Sequence, residues 1–220
     1  MKTGIIRYPG SNCDFDALNY FENSFFIWHN ETELKEHIDL LVIPGGFAFG
    51  DRVYDKATGS YYTEPATKAI QSPVSKIIKD VYNRNIPILG ICNGFQILIK
   101  MGLLPGKLVI NNDRKFHSYY RKCIFQDEEH YDIPIANKFG YYINTEISDS
   151  QIFLKYDDSD NYDDGEIAGI HDVNKKVFGL MPHPERVPNQ KNLKNKLLNI
   201  IFPQIDNFRI HEIMSCEHVS

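Results

Sequence analysis

The stretch Ile86-Pro-Ile-Leu-Gly-Ile-Cys-Asn-Gly-Phe-Gln-Ile-Leu-Ile-Lys-Met101 decides the fold of this chain. Ile86 to Ile91 is a short, continuously apolar run, the pattern of a strand buried on both faces of a parallel sheet. Phe95 to Met101 reads as a helix. One turn separates the two, with Cys92 at its tip and Gly90 and Gly94 on either side. Glycine at both positions lets a strand fold sharply into a helix and lets a ligand approach the backbone. A thiol placed there meets the unpaired N–H groups and the positive dipole end of the helix. Both favour the thiolate, the reactive form.

A strand, a tight turn carrying the nucleophile and a helix form the elbow that hydrolases use, here with sulfur in place of a serine oxygen. The plain alternative is that Cys92 is a small buried hydrophobe, as most free cysteines are. A second segment weighs against it: Phe178-Gly-Leu-Met-Pro-His-Pro-Glu-Arg186. Val177 to Met181 reads as a strand ending at Pro182. His183 stands between two prolines, which stiffen its backbone. Glu185 lies two residues on, on the same face of an extended segment. The carboxylate is then placed to bond one imidazole nitrogen while the other addresses the thiol, the nucleophile–base–orienter logic of a triad. Alone, one of eight histidines would read as a solvated loop residue.

Working outward, Leu40-Leu-Val-Ile-Pro-Gly-Gly-Phe-Ala-Phe-Gly-Asp51 holds a third such strand, Leu40 to Ile43, ending in a Pro44-Gly45-Gly46 turn. That turn is able to offer backbone N–H groups to a developing oxyanion, though by itself it reads rather as an ordinary glycine turn. In open α/β sheets ligands bind at the carboxyl ends of strands, where all three segments end.

Strands are expected at 3–8, 24–29, 40–43, 87–91, 107–111, 118–125, 133–136, 141–145, 152–156, 166–172 and 176–181, and helices near 14–22, 66–83, 93–101 and 190–201. The alternation predicts an α/β fold with a mostly parallel central sheet flanked by helices. The β-rich middle, about 107 to 172, is expected to extend that sheet with antiparallel strands. A chain of 220 residues with 42% hydrophobic content suits one such domain or two small ones. Four cysteines, at 13, 92, 123 and 216, show neither Cys-x-x-Cys pairing nor zinc-like spacing. That suits a reducing cytosol, and a cytoplasmic location is expected.

A net charge of −5 with dispersed Lys and Arg argues against nucleic acid as a partner. No run approaches the roughly 18 apolar residues of a membrane span, and the strand-like Thr3 to Tyr8 follows almost at once on Met1, where a leader would show a longer apolar core. The acidic stretch Asp157 to Gly165 lacks the oxygen spacing of a calcium loop and reads as a solvated turn, so no metal site is expected. Cys13, followed by Asp14, reads as structural, because the neighbouring carboxylate opposes thiolate formation. Trp28-His29 and His171-Asp172 read as structural strand ends. Tyr54, Tyr61 and Tyr62 suit a partner surface or ordinary loop packing about equally.

Five segments together carry a resemblance: Pro9-Gly-Ser-Asn-Cys-Asp14, Ile43-Pro-Gly-Gly-Phe-Ala-Phe-Gly-Asp51, Gly90-Ile-Cys-Asn-Gly-Phe-Gln-Ile-Leu98, Gly102-Leu-Leu-Pro-Gly106 and Met181-Pro-His-Pro-Glu-Arg186. In this order they resemble the class I (triad-type) glutamine amidotransferases, and most closely the PurQ family, the glutaminase subunit of phosphoribosylformylglycinamidine synthase. The resemblance implies a flavodoxin-like fold forming one glutaminase domain over 1–220. It implies that Cys92 attacks the side-chain amide of glutamine, that His183 is base and acid, and that Glu185 orients it. The oxyanion would rest on N–H groups of Gly46 or Phe47 and of Asn93, and Gln96 would help hold the substrate. Ammonia would pass to a large synthase subunit, with a small third subunit often present. ATP and Mg²⁺ would belong to that synthase, with no cofactor in this chain.

Two segments depart from the family pattern. Arg52 to Tyr62 replaces a stretch usually rich in small residues. Asn137-Lys-Phe-Gly140 stands where the family carries His-Gly-Glu-Gly. Backbone groups survive such replacement, so Phe139 and Gly140 are still expected to meet the α-amino and α-carboxylate groups of glutamine. Two other readings stay open on the sequence: a docking or regulatory subunit without catalysis, and a stand-alone cysteine hydrolase on the same fold.

Overall fold

A computed structural model describes residues 1–49, 53–55, 60–62, 66–144, 146–157, 165–189 and 191–203. The chain divides into two compact units, Met1–Val187 and Pro188–Ser220. In the second, the helix Lys191–Ile201 buries Leu193, Leu197 and Ile201, spaced four residues apart on one face. Residues 52 and 56–59, the acidic stretch 158–164 and Cys216 lie outside the described residues.

The first unit is built on nine hydrogen-bonded strands. Five of them run parallel: β1 (Thr3–Arg7), β2 (Ser24–Trp28), β3 (Leu40–Ile43), β6 (Ile88–Ile91) and β13 (Val177–Leu180), in the order β2-β1-β3-β6-β13. This is the flavodoxin-like order, with the direction of winding reversing between β1 and β3. Every residue of β3, β6 and β13 is buried, as expected of strands covered on both faces. Beyond β13 the sheet turns antiparallel through β12 (Ile167–Asp172), β11 (Ile152–Tyr156), β8 (His117–Phe125) and the edge strand β9 (His130–Asn137).

The parallel core with an antiparallel extension is the predicted architecture. Three details differ from expectation. The helix expected over 66–83 is broken: a 3₁₀ turn covers Ala69–Gln71, and α2 begins only at Ser75 and runs to Asn83. Pro73 causes the break, because the residue before a proline is driven out of helical geometry, and Ser72 takes φ −73°, ψ 153°. The segments β7 (Lys107–Val109) and β10 (Tyr141–Ile143) pair with each other and form their own two-stranded ribbon. A second ribbon, β4 (Val53–Asp55) with β5 (Ser60–Tyr62), falls where the sequence suggested a loop.

Helix α1 (Asp14–Tyr20) follows β1, and α3 (Asn93–Lys100) follows β6. Helix α3 packs on β3, β6 and β13 so closely that a Cβ at Gly94 would overlap the Ile43 carbonyl. A helix this near three central strands fixes the direction in which the preceding turn points.

Candidate active site

Cys92 sits on that turn with φ 51° and ψ −104°. Positive φ is costly for a residue bearing a Cβ, and such strain persists only where the surroundings over-determine it. Three constraints do so here. The Cys92 N–H donates to the Leu180 carbonyl at 2.7 Å, and its own carbonyl accepts the first helical bond, from Gln96 N–H at 3.1 Å. Its thiol donates to the Ala136 carbonyl at 3.6 Å. The elbow is therefore tied to the end of β13, and β13 leads directly into His183.

His183 and Glu185 are buried, and His183 Nδ1 lies 2.7 Å from Glu185 Oε1. The His183 backbone N–H donates to the Pro134 carbonyl at 2.8 Å. Pro134 and Ala136 are two apart on β9, so one side of this edge strand touches both the histidine and the cysteine. Strand β9 lies five places from β6 in the sheet order, so the antiparallel half curls back over the carboxyl ends of the parallel strands. Proline is tolerated there because an edge strand leaves alternate N–H groups outside the ladder.

Burial works against a charged imidazole, but the Glu185 carboxylate and then the Cys92 sulfur outweigh it and hold the His183 pKa well above its usual value. The Cys13 thiol, at the start of α1, acts in the same direction. Among the described residues, no group meets His183 Nε2 with hydrogen-bond geometry, and Glu185 Oε2 is likewise buried without one. Tyr20, also on α1, is held protonated far above the usual phenol range, first by burial and then by the Glu185 charge.

The loops after β1 and β3 are zipped together. Phe47 N–H donates to the Gly10 carbonyl at 2.9 Å, and Cys13 N–H to the Gly45 carbonyl at 3.4 Å. Of the two amides expected at the oxyanion position, the Phe47 N–H is thus committed to Gly10, which turns the choice toward Gly46. The Asn93 amide opens the first turn of α3, where the helix has no acceptor for it. Gly45 has no room for a side chain, since a Cβ there would lie 2.5 Å from His183 Cε1.

A polar relay joins the loop after β3 to the one after β9. Ala48 N–H donates to Asn93 Oδ1 at 3.1 Å, Asn93 Nδ2 to Gln96 Oε1 at 2.9 Å, and Gln96 Nε2 to the Phe139 carbonyl at 2.8 Å. Asn111, wholly buried, completes it: its Oδ1 accepts Gly140 N–H at 3.1 Å, and its Nδ2 reaches the Asn137 carbonyl at 3.2 Å and the Lys115 carbonyl at 3.0 Å. The structure therefore brings Gln96, Phe139 and Gly140 together, but with Gln96 and Gly140 holding the loop.

Sequence reasoning missed Asn111, the Pro134 and Ala136 carbonyls, and the approach of Cys13 to His183. Asn111 falls at the end of the strand expected over 107–111, and nothing in the local pattern marks its partners. Cys13 alone carried a signal, because its segment ends β1 on the same sheet edge as Cys92.

A flavodoxin-like sheet thus carries a strained cysteine elbow and a buried His–Glu pair at its carboxyl edge, the parts a cysteine-nucleophile hydrolase needs. Residues 1–131 match the model of the CobB/CobQ-like glutamine amidotransferase domain, and the chain belongs to this class. Within it, the chain is 39% identical over 207 residues to the phosphoribosylformylglycinamidine synthase subunit PurQ of Campylobacter jejuni, covering 84% of this chain and 87% of that protein. Identity to the PurQ of Thermotoga maritima is 37% over 198 residues, covering 83% and 86%. The chain belongs to the PurQ family. Among solved structures, that of PurLQS from Thermotoga maritima superposes with a TM-score of 0.76 at 32% identity, over 91% of this chain and 98% of that one. A glutamine amidotransferase of Thermotoga maritima, at 17% identity and a TM-score of 0.54 over 84% and 76%, shares the fold.

Proposed function

We propose that this chain is the glutaminase subunit of a phosphoribosylformylglycinamidine synthase, with Cys92 as nucleophile, His183 as proton carrier and Glu185 as its orienter. The observation that carries the reading is the buried His183–Glu185 pair, 2.7 Å apart, delivered by β13 to the elbow whose cysteine is hydrogen-bonded to the same strand.

The raised His183 pKa favours imidazolium beside thiolate. The Cys92 sulfur forms a bond to the glutamine side-chain carbon, and the carbonyl π electrons move onto oxygen. The N–H groups of Gly46 and Asn93 stabilise that oxyanion. As it collapses, the C–N bond breaks, His183 gives its proton to the leaving nitrogen, and ammonia departs. A γ-glutamyl thioester remains. Water then attacks it, neutral His183 takes the proton, and glutamate leaves with restoration of the thiolate and imidazolium. Glu185 keeps the ring in the correct orientation and stabilises its charge throughout.

The polar relay through Asn93 and Gln96 shapes the substrate end of the cleft, and the groups at Phe139 and Gly140 frame the amino-acid head of glutamine. Ammonia passes to a large synthase subunit, with a small third subunit completing the complex in the cytoplasm. That synthase binds ATP and Mg²⁺, and this chain needs no cofactor for its half-reaction. Among the described residues no helix is long and apolar enough to cross a membrane.

The test is glutamate release from glutamine, measured for this chain alone and with its synthase partner. The reading predicts slow release alone, strong acceleration by the partner, and loss of both in Cys92→Ala. Purine-auxotroph rescue by Cys92→Ala would instead favour a docking subunit. Partner-independent hydrolysis of other amides would favour a stand-alone hydrolase.

A further inference from the structure

Behind the histidine, on the side of α1, lies a second thiol. The ligating atoms of Cys13, His183 and Glu185 all fall within 4.8 Å of one another. The three residues are 6%, 1% and 8% exposed. Glu185 Oε2 is buried with no hydrogen-bond partner among the described residues, and His183 Nδ1 faces Glu185 Oε1 at 2.7 Å, so the Nδ1 edge of the ring belongs to this group. Buried polar atoms without partners are uncommon and carry the cost of desolvation.

We propose that Cys13, His183 and Glu185 form a binding site for a zinc-type divalent ion, and that its occupancy silences the glutaminase by taking the histidine out of service. The donor set decides the class of ion. One thiolate, one imidazole and one carboxylate suit Zn²⁺ and its neighbours in the first transition row, whereas Mg²⁺ and Ca²⁺ demand oxygen ligands. Charge balances as well: a thiolate and a carboxylate carry two negative charges against a divalent cation, and the imidazole binds neutral. Coordination releases the Cys13 thiol proton and the imidazolium proton to solvent. Three protein ligands leave a fourth tetrahedral position for water. Three elements supply the ligands: the start of α1, the segment after β13 and the Pro184–Arg186 turn, and α1 packs directly on that turn.

Metal binding and catalysis exclude each other, because an ion that replaces the proton between His183 Nδ1 and Glu185 Oε1 takes the orienting carboxylate from the ring and leaves a neutral imidazole, with no imidazolium to donate from Nε2 to the leaving ammonia. This inhibitory consequence rests on the glutaminase reading, while the binding site itself does not. The test separates them by using the catalytically dead full-length Cys92→Ser chain, titrated with Co²⁺ as a spectroscopic stand-in for Zn²⁺. A thiolate-to-cobalt charge-transfer band is expected in Cys92→Ser and in the unmodified chain. The band disappears, or the cobalt affinity falls at least about tenfold, when Cys13→Ser is added. A band that persists without Cys13, or no band in a chain whose circular dichroism is native, overturns the site. In parallel, Zn²⁺ inhibition of glutamate release is read as a ratio to each variant's own metal-free rate. Cys13→Ser is expected to shift the inhibitory concentration upward at least about tenfold; equal sensitivity in both chains overturns the inhibitory role. Absence of metal-free glutaminase activity in the unmodified chain with its partner would count against the functional reading and leave the cobalt result to decide the site.

Discussion

His183 Nδ1 lies 2.7 Å from Glu185 Oε1 with both side chains buried, so an imidazole and a carboxylate share a proton away from water. Each group alone would be costly there. Together they make a polar pair that the fold tolerates because the local segment, His183-Pro184-Glu185, is rigid and the backbone of His183 is bonded to Pro134.

Glu185→Gln keeps the shape and removes the charge. The expected loss in glutaminase kcat is roughly 10²- to 10⁴-fold. The alkaline limb of the kcat/KM profile moves to lower pH, because the variant no longer holds the imidazolium proton that the leaving ammonia needs. A pH–rate profile with an unmoved alkaline limb would exclude this role for the carboxylate.

The same pair makes stability depend on pH in a definite direction. The His183 pKa in the folded chain is raised above its unfolded value, so the folded state binds the extra proton. Its contribution is complete below the unfolded value near 6.5 and fades as pH climbs through the folded value. The urea midpoint of the unmodified chain should exceed that of Glu185→Gln by more at about pH 6 than at about pH 9.

Glycines 45 and 94 should separate chemistry from folding. A Cβ at Gly45 meets His183 Cε1 at 2.5 Å and Cys92 Cβ at 3.4 Å. Gly45→Ala is expected to lower kcat about 100-fold by displacing the imidazole, at a smaller stability cost of about 1–3 kcal/mol. Gly94→Ala forces α3 off the Ile43 carbonyl and should cost about 3 kcal/mol or more of stability. Denaturant titrations alongside glutamate assays distinguish the two.

The relay from Asn93 through Gln96 to Phe139 predicts a binding defect. Gln96→Leu removes two hydrogen bonds that shape the loop at 137–140. KM for glutamine should rise about 10-fold or more while kcat changes less. Asn111→Ala strands Gly140 N–H and two carbonyls, and about 2–4 kcal/mol of stability should be lost with a similar rise in KM.

Much of this architecture is legible in the sequence. The strands at Leu40, Ile88 and Val177 are continuous apolar runs, and each ends in residues that suit a turn rather than more strand, so both their burial and their functional edge follow from local pattern. Cys92 and His183 stood out because glycines or prolines flank them. Helix α2 was overextended because the apolar pattern ran on through Ser72-Pro73, and only the geometry before proline breaks it. The curl of β9 over the site was not legible, since it depends on pairings far apart in sequence, and the pattern of β9 alone does not name its neighbour. Asn111 escaped for the same reason: its partners on the 137–140 loop are brought by topology.

The most direct test of the central claim is labelling of the intact chain with a diazo-ketone analogue of glutamine, followed by mass spectrometric location of the adduct. The account predicts one adduct on Cys92, suppressed by free glutamine and strongly slowed in His183→Ala. An adduct on Cys13 in place of Cys92, or labelling of Cys92 that glutamine does not suppress, would contradict it.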